Sequence, residues 1–152
     1  MRTFKNVGME SAKEIGKHWG VWFDFVLEAY GFKLADEDHE CAPAFNLIRK
    51  NFEQVDIQDV LPGDIVVYHD LESEYREFKR WGNPEHFGII YKASNEVQDI
   101  RVQSQWGYTK TYRHFLGAVP NIYGQHVTFW RAKDKTFSNR SHEVFEEIFK
   151  EY

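Results

Sequence analysis

Cys41-Ala42-Pro43-Ala44-Phe45-Asn46-Leu47-Ile48-Arg49-Lys50 is a helix-like stretch that opens on the only cysteine of the chain. Downstream, His86-Phe87-Gly88-Ile89-Ile90-Tyr91 is a strand-like run that opens on a histidine, and Gln103-Ser104-Gln105 ends the strand after it. A thiol at a helix start, an imidazole on a neighbouring strand and a polar orienting group form, in that order, the parts of an activated cysteine nucleophile.

The remaining chain frames these three stretches. Ser11 can cap a helix running toward Tyr30, with Glu14 in the capping-box position and Gly31 as its stop. Ile15, Trp19, Trp22, Phe23, Val26 and Tyr30 fall on one face of it, which reads as core packing rather than a ligand box. Residues 33–40 are polar and acidic and read as a loop. A second helix is expected over about 42–53, with Pro43 tolerated in its first turn. Leu61-Pro62-Gly63-Asp64 reads as a turn and Ile65-Val66-Val67-Tyr68 as a short buried strand.

Residues 70–85 are charged and read as a loop, and strands are expected at about 87–92, 98–104 and 127–132. Gly107 to Gly124 is rich in turn formers. Ser141 caps a final amphipathic helix, with Val144, Phe145, Ile148 and Phe149 inward. Helices first, then an antiparallel sheet, then a helix is an α+β order. The 152 residues suit one domain over 1–152.

Composition excludes some classes. The net charge of -5 argues against a general binder of phosphate backbones, so no nucleic-acid partner is expected. No apolar stretch approaches the ~18 residues of a membrane span. Met1-Arg2-Thr3-Phe4-Lys5-Asn6 leads into no signal-type apolar core, so synthesis in the cytoplasm is expected, with delivery elsewhere left open. With one cysteine there is no internal disulfide. His39, Cys41, His69, Asp70, His86, His114 and His126 are ligand types without His-x-x-x-His or Cys-x-x-Cys spacing, so neither a metal nor another cofactor is expected.

A thiol reacts as thiolate, and a helix N-terminus or a nearby imidazolium favours that form. Cys41 can therefore be a nucleophile, although a free cysteine is often only a small buried apolar residue. His86 stands at the mouth of a buried strand, where it can take the proton from Cys41. The competing reading is a solvent-facing strand-edge histidine. Gly88 permits close approach of another backbone or a ligand. Gln103 or Gln105 can fix the imidazole tautomer, or simply be surface polarity on an edge strand. His114 is read either as a second site residue or as an exposed loop histidine, and Trp81 and Trp106 as cleft walls or as packing.

Several motifs add a resemblance. Leu61-Pro62-Gly63-Asp64-Ile65-Val66-Val67-Tyr68 resembles the "PGD-I/L-V-x-F/Y" strand of the NlpC/P60 and CHAP superfamily of cysteine peptidases and amidases. Glu85-His86-Phe87-Gly88-Ile89-Ile90-Tyr91 is similar to its "H-x-G-I" strand. Gln103-Ser104-Gln105-Trp106-Gly107, Tyr112-Arg113-His114, Val119-Pro120, Tyr123-Gly124 and Val127-Thr128-Phe129-Trp130-Arg131 resemble, in order, a divergent branch of it. The match covers roughly residues 41–132.

The resemblance implies an α+β, papain-like fold with N-terminal helices packed on a central antiparallel sheet. It also implies Cys41 as nucleophile, His86 as base, Gln103 as third residue, and Trp106 and His114 at the substrate. The implied partner is a peptide, a peptidoglycan fragment or a protein amide. The chain departs from the pattern at Glu40-Cys41-Ala42-Pro43, where "D-C-S-G" is common, in its short span from Cys41 to Gly63, and at Gln103, where the branch often has Glu. The alternative is a non-catalytic binding or inhibitory protein on the same fold.

Overall fold

The computed structural model describes residues 1–15, 27, 30–32, 41–70, 80–106, 110–133, 146, 149 and 150, the side chains of 106 and 110 excepted. The described elements are β1 (Arg2–Thr3), β2 (Lys13–Glu14), α1 (Cys41–Asn51), β3 (Phe52–Val55), β4 (Ile65–Asp70), β5 (Asn83–Lys92), β6 (Arg101–Trp106), β7 (Lys110–Phe115) and β8 (His126–Ala132). The strands form one sheet in the order β1-β8-β4-β5-β6-β7-β2, with β3 also pairing with β8, and every pairing is antiparallel.

This overturns the expected α+β, papain-like arrangement of N-terminal helices on a central sheet. Among the described residues the molecule is mainly an eight-stranded antiparallel sheet with one helix described along its length. Lys13 and Glu14, expected inside the first helix, pair with Arg113 and Tyr112 of β7. Phe52 and Glu53, expected to finish the second helix, instead open β3, whose Phe52 to Val55 pair with Ala132 to Phe129 of β8. Lys110 to Phe115, expected as turn, pair with Trp106 to Arg101. For β2 and β3, pairing with a distant strand outweighs a local preference that is weak on its own, whereas β7 folds back on β6 just before it. The span 16–26 of the first helix, the 33–40 loop and most of the last helix lie outside the described residues. Phe149, expected inward, is 49% exposed.

α1 forms because Ala44, Phe45 and Ile48 recur at helical spacing and are buried together, while Arg49 and Lys50 suit the negative end of the helix dipole. It stops where Asn51 Nδ2 donates to the Leu47 carbonyl at 2.9 Å and the chain turns into β3. Alternation along the strands then makes two cores. Ile65, Val67, Phe87, Ile89 and Trp130 face α1. Val66, Tyr68, Ile90, Val102, Val127 and Phe129 face the other way, under Phe4, Val60, Leu116, Val119 and Tyr123. No helix among the described residues is long and apolar enough to cross a membrane.

Two features pin the sheet. Asp64, 3% exposed, accepts from Leu61 N at 2.8 Å and from both Arg131 Nε at 3.0 Å and Nη2 at 2.8 Å, locking the Pro62-Gly63 turn to β8. Gly88 lies so close to β6 that a Cβ there would sit 2.4 Å from Val102 Cγ1.

Candidate active site

Cys41 is the first residue of α1, so the backbone N–H groups of its first turn have no partner within the helix and point past its end. Pro43 gives up none of the helix ladder there. The thiol is half-buried against the helix-side core, and Sγ lies 3.7 Å from the Glu85 carbonyl oxygen. Glu85 immediately precedes His86.

A β-bulge shapes this point. Tyr68 stands opposite His86 and His69 opposite Pro84, so Glu85 is an extra residue in β5. A bulge bends the strand and re-aims the side chains beside it. The His86 ring is 1% exposed and stacks on Tyr123 with centroids 4.3 Å apart and planes 4° from parallel. Tyr123 reaches the position through a 3-10 turn, Asn121–Tyr123, closed by Gly124 at φ 75°. Burial, and then the nearness of Cys41 and Glu85, hold its phenol well above the usual range. One ring thus stacks on His86 and stands within electrostatic reach of Cys41 and Glu85.

Burial holds the His86 imidazole well below its usual pKa, and the neighbouring His114 lowers it further. Burial also sets His114 at about 4, against the opposing pull of the Phe115 carbonyl. That carbonyl lies 2.7 Å from His114 Nδ1 and can only accept, so Nδ1 carries the proton. Nε2 of the neutral ring then accepts from Ser104 Oγ at 2.6 Å. Ser104, His114 and His86 share one face of the sheet, the face turned away from α1 and from the core that Cys41 packs on, since Val102 pairs with both Ile90 and His114 and Tyr68 stands opposite His86. Glu85 is raised by burial and by Asp70.

The structure treats the other sequence candidates differently. Gln103 pairs with Ile89, which faces α1, and so lies on the face opposite Ser104 and His114. Its Oε1 accepts from Arg113 Nε at 2.8 Å, while its Nε2 is buried with no hydrogen-bond partner among the described residues. Gln105 is buried on that same face. His114, read as a possible loop residue, is a buried member of β7. Trp106 ends β6 opposite Lys110, and its side chain lies outside the described residues. Trp81 packs on Phe45 and Trp130 at the rim of the helix-side core, with the Arg49 guanidinium 4.6 Å from its ring centre.

Ser104, Tyr123 and the Glu85 bulge were not singled out by sequence reasoning. The parity of Ser104 with His114 across adjacent strands is the one signal that could have found the first. A third buried histidine, His69, lies under α1 at 5.1 Å from Phe45, with Nε2 2.7 Å from Thr128 Oγ1, and that hydroxyl oxygen accepts from Trp130 Nε1 at 2.7 Å. No three His, Cys, Asp or Glu side chains among the described residues are grouped to hold a metal ion. No family model matches the chain, and no curated protein and no solved structure matches it.

Proposed function

We propose that the protein is a cysteine hydrolase acting on an amide or peptide bond. The observation that carries this reading is the seating of Cys41 Sγ at a helix start, 3.7 Å from the carbonyl of the residue before His86. In the proposed reaction His86 takes the thiol proton as sulfur attacks the carbonyl carbon. The amide C–N bond breaks, the amine leaves with the proton that His86 returns, and water hydrolyses the thioester. A helix start suits an oxyanion, and one such donor contributes about 3 kcal/mol in acyl-transfer enzymes.

The buried, neutral state of His86 supports a base that starts uncharged rather than a standing imidazolium–thiolate pair. Ser104 and His114, on the same face, are better placed than Gln103 to orient it. The substrate class is a cell-wall peptide or a protein amide. The test is a screen of peptidoglycan fragments and glutamine-bearing proteins with native enzyme and Cys41→Ala, combined with a search for a thioester adduct on Cys41 by mass spectrometry. Turnover by Cys41→Ala equal to the native rate would sink the reading.

A second reading is favoured by the contact of Cys41 with the helix-side core. There the thiol is an inert packing group, its S–H a weak donor to Glu85, and the protein binds a partner without chemistry.

A further inference from the structure

At the far end of β5 from Cys41 lies a cavity of about 570 Å³ between β2, β5, β6, β7 and the described end of the chain. Residues 85 and 91 of an extended strand are about 20 Å apart, so this is a separate place from the thiol. Its described lining holds five cations, Lys13, Lys92, Arg101, Arg113 and Lys150, and no carboxylate. The chain as a whole carries -5, so the cations are concentrated here against the overall balance.

The arrangement is built rather than scattered. Lys13 stands directly opposite Arg113 across the β2–β7 pair. Arg113 is held from two sides, by the buried Gln103 carbonyl at 2.8 Å and by the Tyr91 ring, whose centre is 4.5 Å from its guanidinium carbon. Arg101 lies 4.9 Å from the centre of the Phe115 ring. Guanidinium groups stacked in this way are ordered in advance and lose little freedom on binding. Phe115 and Phe149 line the same cavity and remain 40% and 49% exposed, leaving apolar ring surface in contact with water.

We propose that this cavity binds a nucleotide, with its phosphates against Lys13 and Arg113 and its base against Phe115 and Phe149. Clustered cations fit the phosphates and the half-exposed rings fit the base. The volume suits one small ligand, and the net negative charge of the chain disfavours a long polyanion.

The test is calorimetric titration of the full chain with ADP, inorganic pyrophosphate and a single-stranded oligouridylate at two salt concentrations. ADP should bind saturably and at least about tenfold more tightly than pyrophosphate, a difference of about 1.4 kcal/mol supplied by the base. Lys13→Ala should weaken ADP and flatten its salt dependence, because one cation fewer meets the phosphates. Lys13 is exposed and its removal leaves the core intact, and the exposed Lys92 provides a second variant, Lys92→Ala, with the same expected direction. No saturable ADP binding, equal binding of pyrophosphate, tighter binding of the oligonucleotide, or ADP binding unchanged in both variants would each overturn the proposal.

Discussion

Asp64 ties two distant parts of the fold together. Its carboxylate is almost fully buried, and its hydrogen bonds join the turn before β4 to Arg131 on β8. Asp64→Ala removes these hydrogen bonds while the part-exposed Arg131 stays in contact with water, so the loss is that of hydrogen bonds to a charged group. The variant should lower the unfolding free energy by about 1.5–3 kcal/mol, measured by urea denaturation. Gly88→Ala should also destabilise, by roughly 1–3 kcal/mol, because the new Cβ meets Val102 and the β6 backbone.

At this scale the sequence disclosed part of the truth. Gly88 was readable as a close approach, because glycine inside an apolar strand has few other uses. The turn at Pro62-Gly63 was equally readable, but the ion pair of Asp64 was not, since its partner is remote in sequence. Gln103 and Ser104 are neighbours that point to opposite faces, and only the strand register tells which one joins His114. A choice between adjacent strand residues is blind until the pairing is known.

Among the elements, β4, β5 and β8 were legible because their apolar runs are short and buried. α1 was legible because Cys41, Phe45 and Ile48 keep helical spacing. β7 was not, since its buried positions are the polar Thr111 and His114 rather than apolar residues. β2 and β3 were hidden because each is held by a distant strand, and the Glu85 bulge leaves no mark in composition. The β6–β7 pair yields a test. Ser104→Ala removes the hydroxyl that donates to His114 Nε2 and leaves a buried acceptor without its partner. The expected loss is about 1–3 kcal/mol of stability. If His114 positions His86, the same variant should slow alkylation of Cys41, whereas Ser104→Thr, which keeps the hydroxyl, should restore it.

Over the whole molecule the buried histidines set the response to acid. His69 titrates at about 3 and His114 at about 4, both lowered from 6.5 chiefly by burial, and His86 is lowered as well. All three are neutral in the native state near pH 7. Below pH 6.5 the unfolded chain takes up protons that the folded chain excludes. Stability is therefore complete above 6.5 and falls as pH drops, until about pH 4 for His114 and about pH 3 for His69. Each histidine contributes a slope of up to about 1.4 kcal/mol per pH unit. Urea midpoints at pH 7 and pH 5 should differ clearly, with the lower value at pH 5. His69→Gln, if folded, should reduce the difference.

The central claim is that Cys41 and His86 work as a pair, and the alkylation of Cys41 by iodoacetamide tests it most directly. Rates would be followed across pH 5–9 in the native protein, in His86→Ala and in the urea-unfolded chain. The account predicts that the native thiol reacts faster at neutral pH than in the unfolded chain, and that His86→Ala, shown to be folded by its melting curve, loses this advantage. A native thiol that stays unreactive until the chain unfolds would contradict it and leave Cys41 as a packing residue.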